Sequence, residues 1–453
     1  MSNFILKTLE TRELKLNTIR LRGFYGGKLR KGSGGGGSSD GFPVLPGDVT
    51  RWHFGGLTNE MMAAMDDPRI EDADGKGRFL SFKNFAWKEG SGISDVYPGA
   101  LVFDGVDDCG VCDNFPILTK EKGYTVVVLR QWDQDFLNTT LTGGLLSTRN
   151  YSTGEGVAFE KIESSNKGYW NLGAGGIIDF AKSPFTWQTS KQYNNVGILK
   201  GDKNHGKPLC VGCGLSGGQQ CGRFAIWELV FLDHDATEEE LTKIKDYFVK
   251  TYPWLFFDQA WTVVGKTNED EDRATIANIT GNGNDLVCLN LGFIEGSGYN
   301  EEGEYAGYLV TDGVDDKITS STFEMGNDWT VIGDWELINT GKNDNAGIVK
   351  FDSIVIYNYN PILINIKNGR NNLIPDQNTV NAICSDGRIY SKDWKESIYN
   401  EETESTSKNL LTIGYSGNSY TKIAFKNLAI YPTVLSKEDC IKAYNYLQTL
   451  KAK

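Results

Sequence analysis

The chain has 453 residues, a formal net charge of −13, 53 glycines and 12% aromatic residues. A disordered chain would be far poorer in aromatics, and collagen places glycine at every third position, so this composition excludes both classes. No apolar stretch approaches the roughly 18 residues of a membrane-spanning helix, and we therefore expect no membrane partner. Abundant glycine together with abundant aromatics indicates a turn-rich β protein.

The charge is distributed unevenly between a basic N-terminus and an acidic remainder. Residues 1–32 hold eight Lys and Arg against two Glu, a balance of +6, which leaves −19 for the rest of the chain. An acidic body argues against broad binding of nucleic acid. We expect the basic segment to contact an acidic protein surface, with nucleic acid as the less favoured partner.

An alternating segment, ELKLNTIRLR, lies within this basic region at residues 13–22. Alternation of apolar and charged residues, here with one change of phase, is typical of a half-buried strand with a bulge. A single strand is not stable alone, and the glycine-rich sequence that follows is a flexible tether. We predict an anchoring arm over residues 1–31 and a linker over 32–41; an arm that docks on its own domain is the alternative. The predicted anchoring residues are Leu14, Leu16, Ile19, Arg20, Leu21 and Arg22.

The N-terminus does not read as a secretory signal. Met1–Leu6 has no basic segment, and charged residues interrupt any apolar stretch after it. Eight cysteines in so long a chain are not a disulfide framework. We therefore predict synthesis in a reducing cytoplasm.

The remainder of the chain is an internal duplication. Residues 75–92 contain GKG, an asparagine and EGSG, and residues 281–298 contain GNG, an asparagine and EGSG at positions offset by 206. The sequence DGVDD then occurs at 104–108 and again at 312–316. Landmarks repeated in one order indicate two copies of one structural unit.

Both copies also end alike, with an apolar strand and an amphipathic helix. The closing strands read FAIWELVFL and IAFKNLAIY, and Thr237 or Ser436 supplies the hydroxyl that starts a capping box. Short alternating strands between Gly, Asn and Asp turns are typical of a β-sandwich. We predict an all-β chain with tandem sandwiches at 42–255 and 256–453, each closed by a short C-terminal helix.

Each copy resembles the concanavalin A-like, laminin-G-like jelly-roll family in the strand that precedes DGVDD and in the closing strand and helix. The resemblance covers nearly all of residues 50–453 and implies two jelly-roll sandwiches. The whole arrangement is also similar to virion proteins of crAss-like tailed phages of gut bacteria. The features that carry this likeness are the arm, the tether, the tandem sandwiches, Tyr252–Trp254 and residues 265–273. That likeness implies a place on the virion surface, synthesis in the host cytoplasm and other virion proteins as partners.

Two groups of residues could bind a metal. Cys109 and Cys112, with Cys210 and Cys213, form two C-x-x-C pairs that could supply the four thiolates of a zinc site if the fold brings them together. Disulfides or free thiols are the alternatives. The carboxylates of DGVDD could bind calcium, as in some laminin-G-like domains, or could simply cap their own turn. We take zinc as the first candidate cofactor and calcium as the second.

Catalysis is the least favoured function. Glycoside hydrolysis needs two carboxylates about 5–10 Å apart, one with a raised pKa, whereas the acidic run Glu269–Asp272 lies among polar residues and is not repeated in the first copy. We predict a non-enzymatic virion structural or decoration protein, on a head or tail surface, that displays lectin-like sandwiches. A carbohydrate-binding adhesin of a gut bacterium or phage, with surface or mucus glycans as ligands, is the alternative; self-association into a homo-oligomer stays open.

Overall fold

The computed structural model describes residues 40–116, 122–148, 158–161, 167–170, 177–179, 184–189, 208–215, 219–281, 283–338, 346–351, 354–358, 362–366, 370–374, 380–398, 409–415 and 419–452. The described residues from 45 onward belong to one compact unit. The predicted arm lies outside the described residues, so the anchoring roles of Leu14, Leu16, Ile19, Arg20, Leu21 and Arg22 stay predictions, as do the four segment boundaries.

The first half of this compact unit contributes sixteen described strands and three helices. The strands are β1 Val49–His53, β2 Arg69–Glu71, β3 Phe79–Lys83, β4 Gly92–Ser94, β5 Ala100–Asp104, β6 Cys109–Cys112, β7 Thr125–Trp132, β8 Gly143–Ser147, β9 Ala158–Lys161, β10 Lys167–Trp170, β11 Ile177–Asp179, β12 Phe185–Thr189, β13 Leu209–Val211, β14 Cys213–Leu215, β15 Gln219–Cys221 and β16 Arg223–Leu232. The helices are α1 Asn59–Ala63, α2 Gln134–Leu137 and α3 Glu238–Thr251, followed by a 3₁₀ turn at Pro253–Leu255.

The second half contributes sixteen more described strands and one helix. The strands are β17 Gln259–Thr262, β18 Thr275–Ile276, β19 Leu286–Leu289, β20 Gly298–Asn300, β21 Tyr308–Val310, β22 Lys317–Phe323, β23 Thr330–Leu337, β24 Ala346–Phe351, β25 Ile354–Asn358, β26 Ile362–Ile366, β27 Arg370–Ile374, β28 Val380–Cys384, β29 Arg388–Ser391, β30 Glu396–Ile398, β31 Asn409–Ile413 and β32 Ile423–Tyr431. Helix α4 spans Lys437–Leu447. None of the helices in the described ranges is long and apolar enough to cross a membrane.

Equivalent strands follow one order in the two halves. One sheet of the first half runs β12-β7-β16-β5-β4 with β1 beside β16, and its counterpart runs β30-β29-β28-β23-β32-β21-β20 with β17 beside β32. Among the described strands, β29 and β30 have no equivalent in the first half, and β14 and β15 have none in the second. The other sheets run β11-β10-β9-β8-β13-β6-β3-β2 and β27-β26-β25-β24-β31-β22-β19-β18. The predicted all-β fold of two tandem sandwiches, each followed by a helix, is confirmed. The finer likeness to the concanavalin A-like family stays a prediction.

Each half buries its hydrophobic core between its own two sheets. In the first half the core includes Trp52, Phe103 and Trp132 from one sheet and Leu80 and Phe159 from the other. In the second half it includes Trp261, Trp335 and Phe425 from one sheet and Ile276 and Ile318 from the other. Alternation along the strands places these side chains on the inner faces, and the burial of such large rings supplies most of the stability.

Strand β16 is buried on both of its faces. Phe224 and Ile226 face the core, and a bulge after Ile226 restores the phase so that Leu229 and Phe231 face it as well. The opposite face is also buried, because elements outside the sandwich cover it. The near-continuous apolar sequence FAIWELVFL is therefore typical of a strand covered on two sides, and does not alternate.

Helix α3 is joined to that covered face through a buried polar network. Arg51 on β1 and Glu228 on β16 are both fully buried, and Arg51 Nη1 lies 3.4 Å from Glu228 Oε2. Glu228 Oε1 accepts from the hydroxyls of Tyr247 at 3.1 Å and Tyr252 at 2.9 Å, and lies 2.7 Å from His53 Nδ1. A buried carboxylate is tolerated here because several donors replace the water that it has lost.

Helix α4 of the second half contacts both halves. It packs against β23 and β32 of its own half. Tyr446 on α4 is 1% exposed, meets Trp227 edge-on with ring centroids 6.1 Å apart, and donates a 2.9 Å hydrogen bond to Gln131 Oε1. Lys451 Nζ lies 2.5 Å from Asp135 Oδ1 at the exposed margin. The two sandwiches are thus held together by a helix that sequence periodicity assigns only to its own sandwich.

Candidate functional site

The two DGVDD sequences form tight turns, which we call the aspartate turns, at residues 104–108 and 312–316. In the first turn, Asp104 Oδ1 accepts the backbone N–H of Val106 at 2.7 Å. Asp108 Oδ2 accepts the backbone N–H of Asp104 at 2.9 Å. Side-chain carboxylates therefore hold the turn closed by accepting donors that the chain reversal leaves without a strand partner.

The second aspartate turn repeats this geometry. Asp312 Oδ1 accepts the N–H of Val314 at 2.7 Å, and Asp316 Oδ2 accepts the N–H of Asp312 at 2.8 Å. Gly105 and Gly313 have φ of +78° and +79°, the left-handed region that glycine adopts at little cost. The repeated sequence is thus explained by the conformation of the turn.

A second loop packs against each turn, at residues 84–91 in the first half and 290–297 in the second. We call each turn with its neighbouring loop a loop cluster. The hydrogen bonds that join the two loops are equivalent in both halves: Asn84 Nδ2 to Asp107 O (3.0 Å), Asn290 Nδ2 to Asp315 O (3.0 Å), Ser91 Oγ to Asp108 Oδ1 (3.0 Å) and Ser297 Oγ to Asp316 Oδ2 (2.7 Å).

Both loop clusters hold non-glycine residues in the left-handed region. The φ angles are +68° for Asn84 and +49° for Trp87, and +67° for Asn290 and +52° for Phe293. A bulky aromatic residue rarely adopts this conformation, and such strain persists only where the surroundings enforce it, often at binding sites. Trp87 is half-buried and stacks on Phe85, with centroids 5.0 Å apart. The repeated asparagine can be recognised in the sequence, whereas the backbone conformation of Trp87 and Phe293 cannot.

The outer surface of each loop cluster combines apolar and acidic groups. Val106 and Val314, at the tips of the turns, are each 72% exposed, and Asp107 and Asp315 beside them are exposed. Within each turn, carboxylate oxygens of the three aspartates lie within 4.8 Å of one another. Because two of the three already accept backbone N–H groups, capping accounts for this grouping, and calcium stays a prediction.

Asp108 gives the first loop cluster a pH dependence. Burial raises the pKa of its carboxyl from 3.8 to about 7. Between pH 3.8 and about 7 the Asp108 carboxyl is ionised in the unfolded chain but keeps its proton in the folded chain. Its contribution to the free energy of unfolding is therefore present below the unfolded-state pKa and is lost as the pH rises through the folded-state pKa. In Asp108→Asn we expect the free energy of unfolding to fall less over this range than in the parent. Urea unfolding at a series of pH values measures it; parallel curves for the two proteins would contradict the assignment.

The structure brings together four cysteines that are not the predicted four. Cys109, Cys210, Cys213 and Cys221 form one buried cluster, each at most 5% exposed. Cys112 lies apart in the sandwich core, where its sulfur is 3.5 Å from Asn114 Oδ1. The reason is the strand itself: residues three apart on β6 point to opposite faces, so Cys109 and Cys112 cannot share a site on one face.

A glycine lets the other C-x-x-C pair share a face. Cys210 lies in β13 and Cys213 in β14, and Gly212 between them has a φ of +94°, which breaks the strand. A Cβ on Gly212 would overlap the ring of Phe103. Cys221 on β15 pairs directly with Cys213 across an antiparallel ladder and so joins the cluster. The sequence contains this cysteine, but nothing local indicates its pairing.

Hydrogen bonds and burial shift the pKa values of the clustered thiols in different directions. The pKa of the Cys109 thiol is lowered to about 4, because the thiols of Cys210 and Cys213 donate to its sulfur. The pKa of Cys210 is raised, first by that hydrogen bond and then by burial. The pKa of Cys213 is raised by its bonds to Cys109 and Cys221 and by burial. The backbone oxygen of Asp108, 3.3 Å from Cys213 Sγ, is an alternative acceptor for the single proton of that thiol.

The acidic run at 269–272 lies in a largely exposed loop. Asp270 accepts the N–H of Thr267 at 2.9 Å, and this bond lowers the pKa of the carboxyl. Asp272 Oδ1 is bound by Lys266 Nζ at 2.8 Å, and its side chain is 63% exposed. These contacts hold a solvated loop. The lowered pKa keeps the Asp270 carboxyl ionised, the opposite of what a general acid needs.

No protein-family model matches the chain, and no curated protein matches it by sequence. Among solved structures it is similar to Trypanosoma rangeli sialidase, with 8% identity and a TM-score of 0.32 over 83% of this chain and 67% of that one. It is also similar to the binding domain of botulinum neurotoxin serotype D, with 11% identity and a TM-score of 0.30 over 80% and 94% of the chains. Likeness at this level assigns no family and carries no argument about function.

Proposed function

We propose that this chain is a non-enzymatic phage virion protein, held on a head or tail surface by residues 1–31 and displaying its two sandwiches for capsid decoration or adhesion. One observation carries the non-enzymatic part. In the described residues the equivalent strands of the two halves follow one order, and both halves keep a loop cluster. Two of the three aspartates in each turn accept backbone N–H groups of their own turn. This arrangement supports a displayed surface in preference to a set of reactive groups.

The proposed attachment uses the physics of strand addition. Residues 13–22 would pair with an open sheet edge on the particle, where backbone hydrogen bonds supply affinity and the alternating Leu and Ile set the register. The acidic remainder, with a charge of −19 outside residues 1–32, would project away from that contact. Many copies on one particle would turn weak contacts into strong adhesion.

Deletion of residues 1–31 should abolish incorporation into particles. We expect the full chain in purified virions by mass spectrometry and the truncated chain only in the soluble fraction, with unchanged far-UV circular dichroism. Two double variants of the full chain provide a matched comparison. Leu14→Asp with Leu16→Asp removes the apolar face of the alternating segment and should prevent incorporation, whereas Lys28→Asp with Lys31→Asp changes the charge outside that segment and serves as the control. Normal incorporation of the truncated chain would refute the anchoring role.

Carbohydrate binding is the second candidate, favoured by two features that each loop cluster combines. One is a half-buried aromatic residue with a positive φ, Trp87 or Phe293, and the other is an exposed aspartate, Asp107 or Asp315. Aromatic side chains and carboxylates suit the apolar face and the hydroxyls of a sugar ring. A glycan array probed with the full chain, and with Asp107→Ala plus Asp315→Ala, tests it against Glu239→Ala as a control at an exposed helical acid. Glycan binding by the full chain that is lost in Asp107→Ala plus Asp315→Ala supports this function. If the full chain binds no glycan, capsid decoration is the function that remains.

A further inference from the structure

The four clustered cysteines lie on the face of their sheet that points away from the sandwich core. Leu209 and Val211 enter the core, so Cys210 between them points the other way, as does Cys109 relative to Cys112. All four are nonetheless buried, and Val111 is the hydrophobic neighbour packed against them. This cluster is separate from the loop clusters and plays no part in the proposed attachment.

The four cysteines lie side by side on paired strands. Cys210 pairs with Val111, which places it diagonally next to Cys109, and Cys213 pairs with Cys221. The four sulfurs are not gathered as tightly as the carboxylate oxygens of the aspartate triads, which all lie within 4.8 Å of one another. Some of the four side chains therefore have to turn inward for all four sulfurs to reach one ion.

The second half shows what the same positions become without cysteine. Gly414, with a φ of +79°, follows β31 as Gly212 follows β13, so the registers of the two halves can be compared directly. Lys317 stands in place of Cys109, and Tyr415 in place of Cys213. The Lys317 ammonium lies 5.1 Å from the centre of the Tyr415 ring, and Tyr415 packs on Tyr420 at 4.8 Å.

Ordinary packing of large side chains therefore suffices at these positions in the second half, whereas the first half places four thiols there. A single buried cysteine behaves as a small hydrophobic residue, but four in one buried cluster match the ligand number and chemistry of a tetrahedral thiolate site. We propose that Cys109, Cys210, Cys213 and Cys221 bind one Zn²⁺ ion. Cys221 takes the place that the C-x-x-C spacing assigned to Cys112.

Bound zinc would connect three separate parts of the chain: β6, the β13–β14 segment and β15. Each thiol that ligates the ion releases its proton, and the ion compensates the charge that burial would otherwise disfavour. Lys83 on β3 is the cross-strand partner of Cys109 on β6, so its side chain lies on the same face of the sheet and adds positive charge beside the cluster. The expected role is structural, because four protein ligands leave no open position for a substrate.

The test compares two identical substitutions at buried cysteines of the full chain. We expect one zinc per chain by inductively coupled plasma mass spectrometry in the parent and in Cys112→Ser. Cys221→Ser should lose affinity in a Zn²⁺ titration against a chelating dye by at least the roughly 10–100-fold that loss of an outer-shell partner costs. Zinc retained by Cys221→Ser and lost by Cys112→Ser would overturn the proposal.

A second measurement needs no variant. Co²⁺ added to the reduced, metal-free parent should give the intense visible and thiolate charge-transfer bands of a tetrahedral four-sulfur site. A parent that binds neither Zn²⁺ nor Co²⁺, or a spectrum without thiolate bands, would refute the site. A Cys213–Cys221 disulfide found by mass spectrometry of protein alkylated in the cell would also refute it.

Discussion

Glu228→Ala should destabilise the protein by about 3–5 kcal/mol, the cost of removing one partner from a buried ion pair. The substitution leaves the fully buried Arg51 without this carboxylate, and it removes the acceptor that two tyrosine hydroxyls share. Because these groups join β1, β16 and α3, we expect the helix to lose its attachment to the sheet. Urea unfolding followed by tryptophan fluorescence measures the change.

Two controls separate charge burial from the loss of any glutamate. Glu239→Ala removes an exposed partner of Lys243 on the same helix and should cost no more than about 0.5 kcal/mol. Glu228→Gln keeps an acceptor but not the charge, and should lie between the two. A cost for Glu228→Ala no larger than that of Glu239→Ala would show that the network does not stabilise the fold.

Tyr446→Ala should cost about 3–5 kcal/mol, as for other large buried aromatic residues, and should uncouple the two sandwiches. The ring is 1% exposed and lies between α4 and Trp227 of the other half, so its removal opens a cavity at the contact between the halves. We expect the parent to unfold in one thermal transition and the variant in two, because each half keeps its own core. Differential scanning calorimetry measures both effects.

Tyr446→Phe is the matched control for this contact. It keeps the ring and removes only the hydroxyl that donates to Gln131, so it should cost about 0.5–1.5 kcal/mol and leave one transition. Two transitions in the parent would mean that the halves unfold independently despite the contact. Equal effects of the two substitutions would mean that the ring contributes no coupling.

The helices illustrate how far local pattern reaches. The capping box at Thr237 is confirmed: its hydroxyl accepts the N–H of Glu240, and the Glu240 carboxylate accepts the N–H of Thr237 at 2.7 Å. The predicted apolar face of α3 is buried. The same reasoning finds α4 but not its second contact, because helical periodicity identifies an apolar face and does not say which surface covers it.

The C-x-x-C spacing did not identify which cysteines lie together in the structure. A C-x-x-C pair reaches one metal when it lies in a tight turn, and Cys109–Cys112 lies in a strand that separates its two ends. Cys210–Cys213 can meet only because Gly212 breaks the strand between them. Which cysteines meet is thus set by backbone conformation and by the pairing of β14 with β15, neither of which a motif records.

The amino-acid sequence by itself determined the all-β class, the duplication, the closing helices and the two aspartate turns, because alternation, capping and turn formation act between residues that are near in the chain. The tertiary structure alone decided the membership of the cysteine cluster, the burial of Arg51 with Glu228 and the use of α4 by both halves. Those features join residues more than a hundred positions apart, and their energies depend on strand register and on the exclusion of water, which arise only when the sheets have assembled.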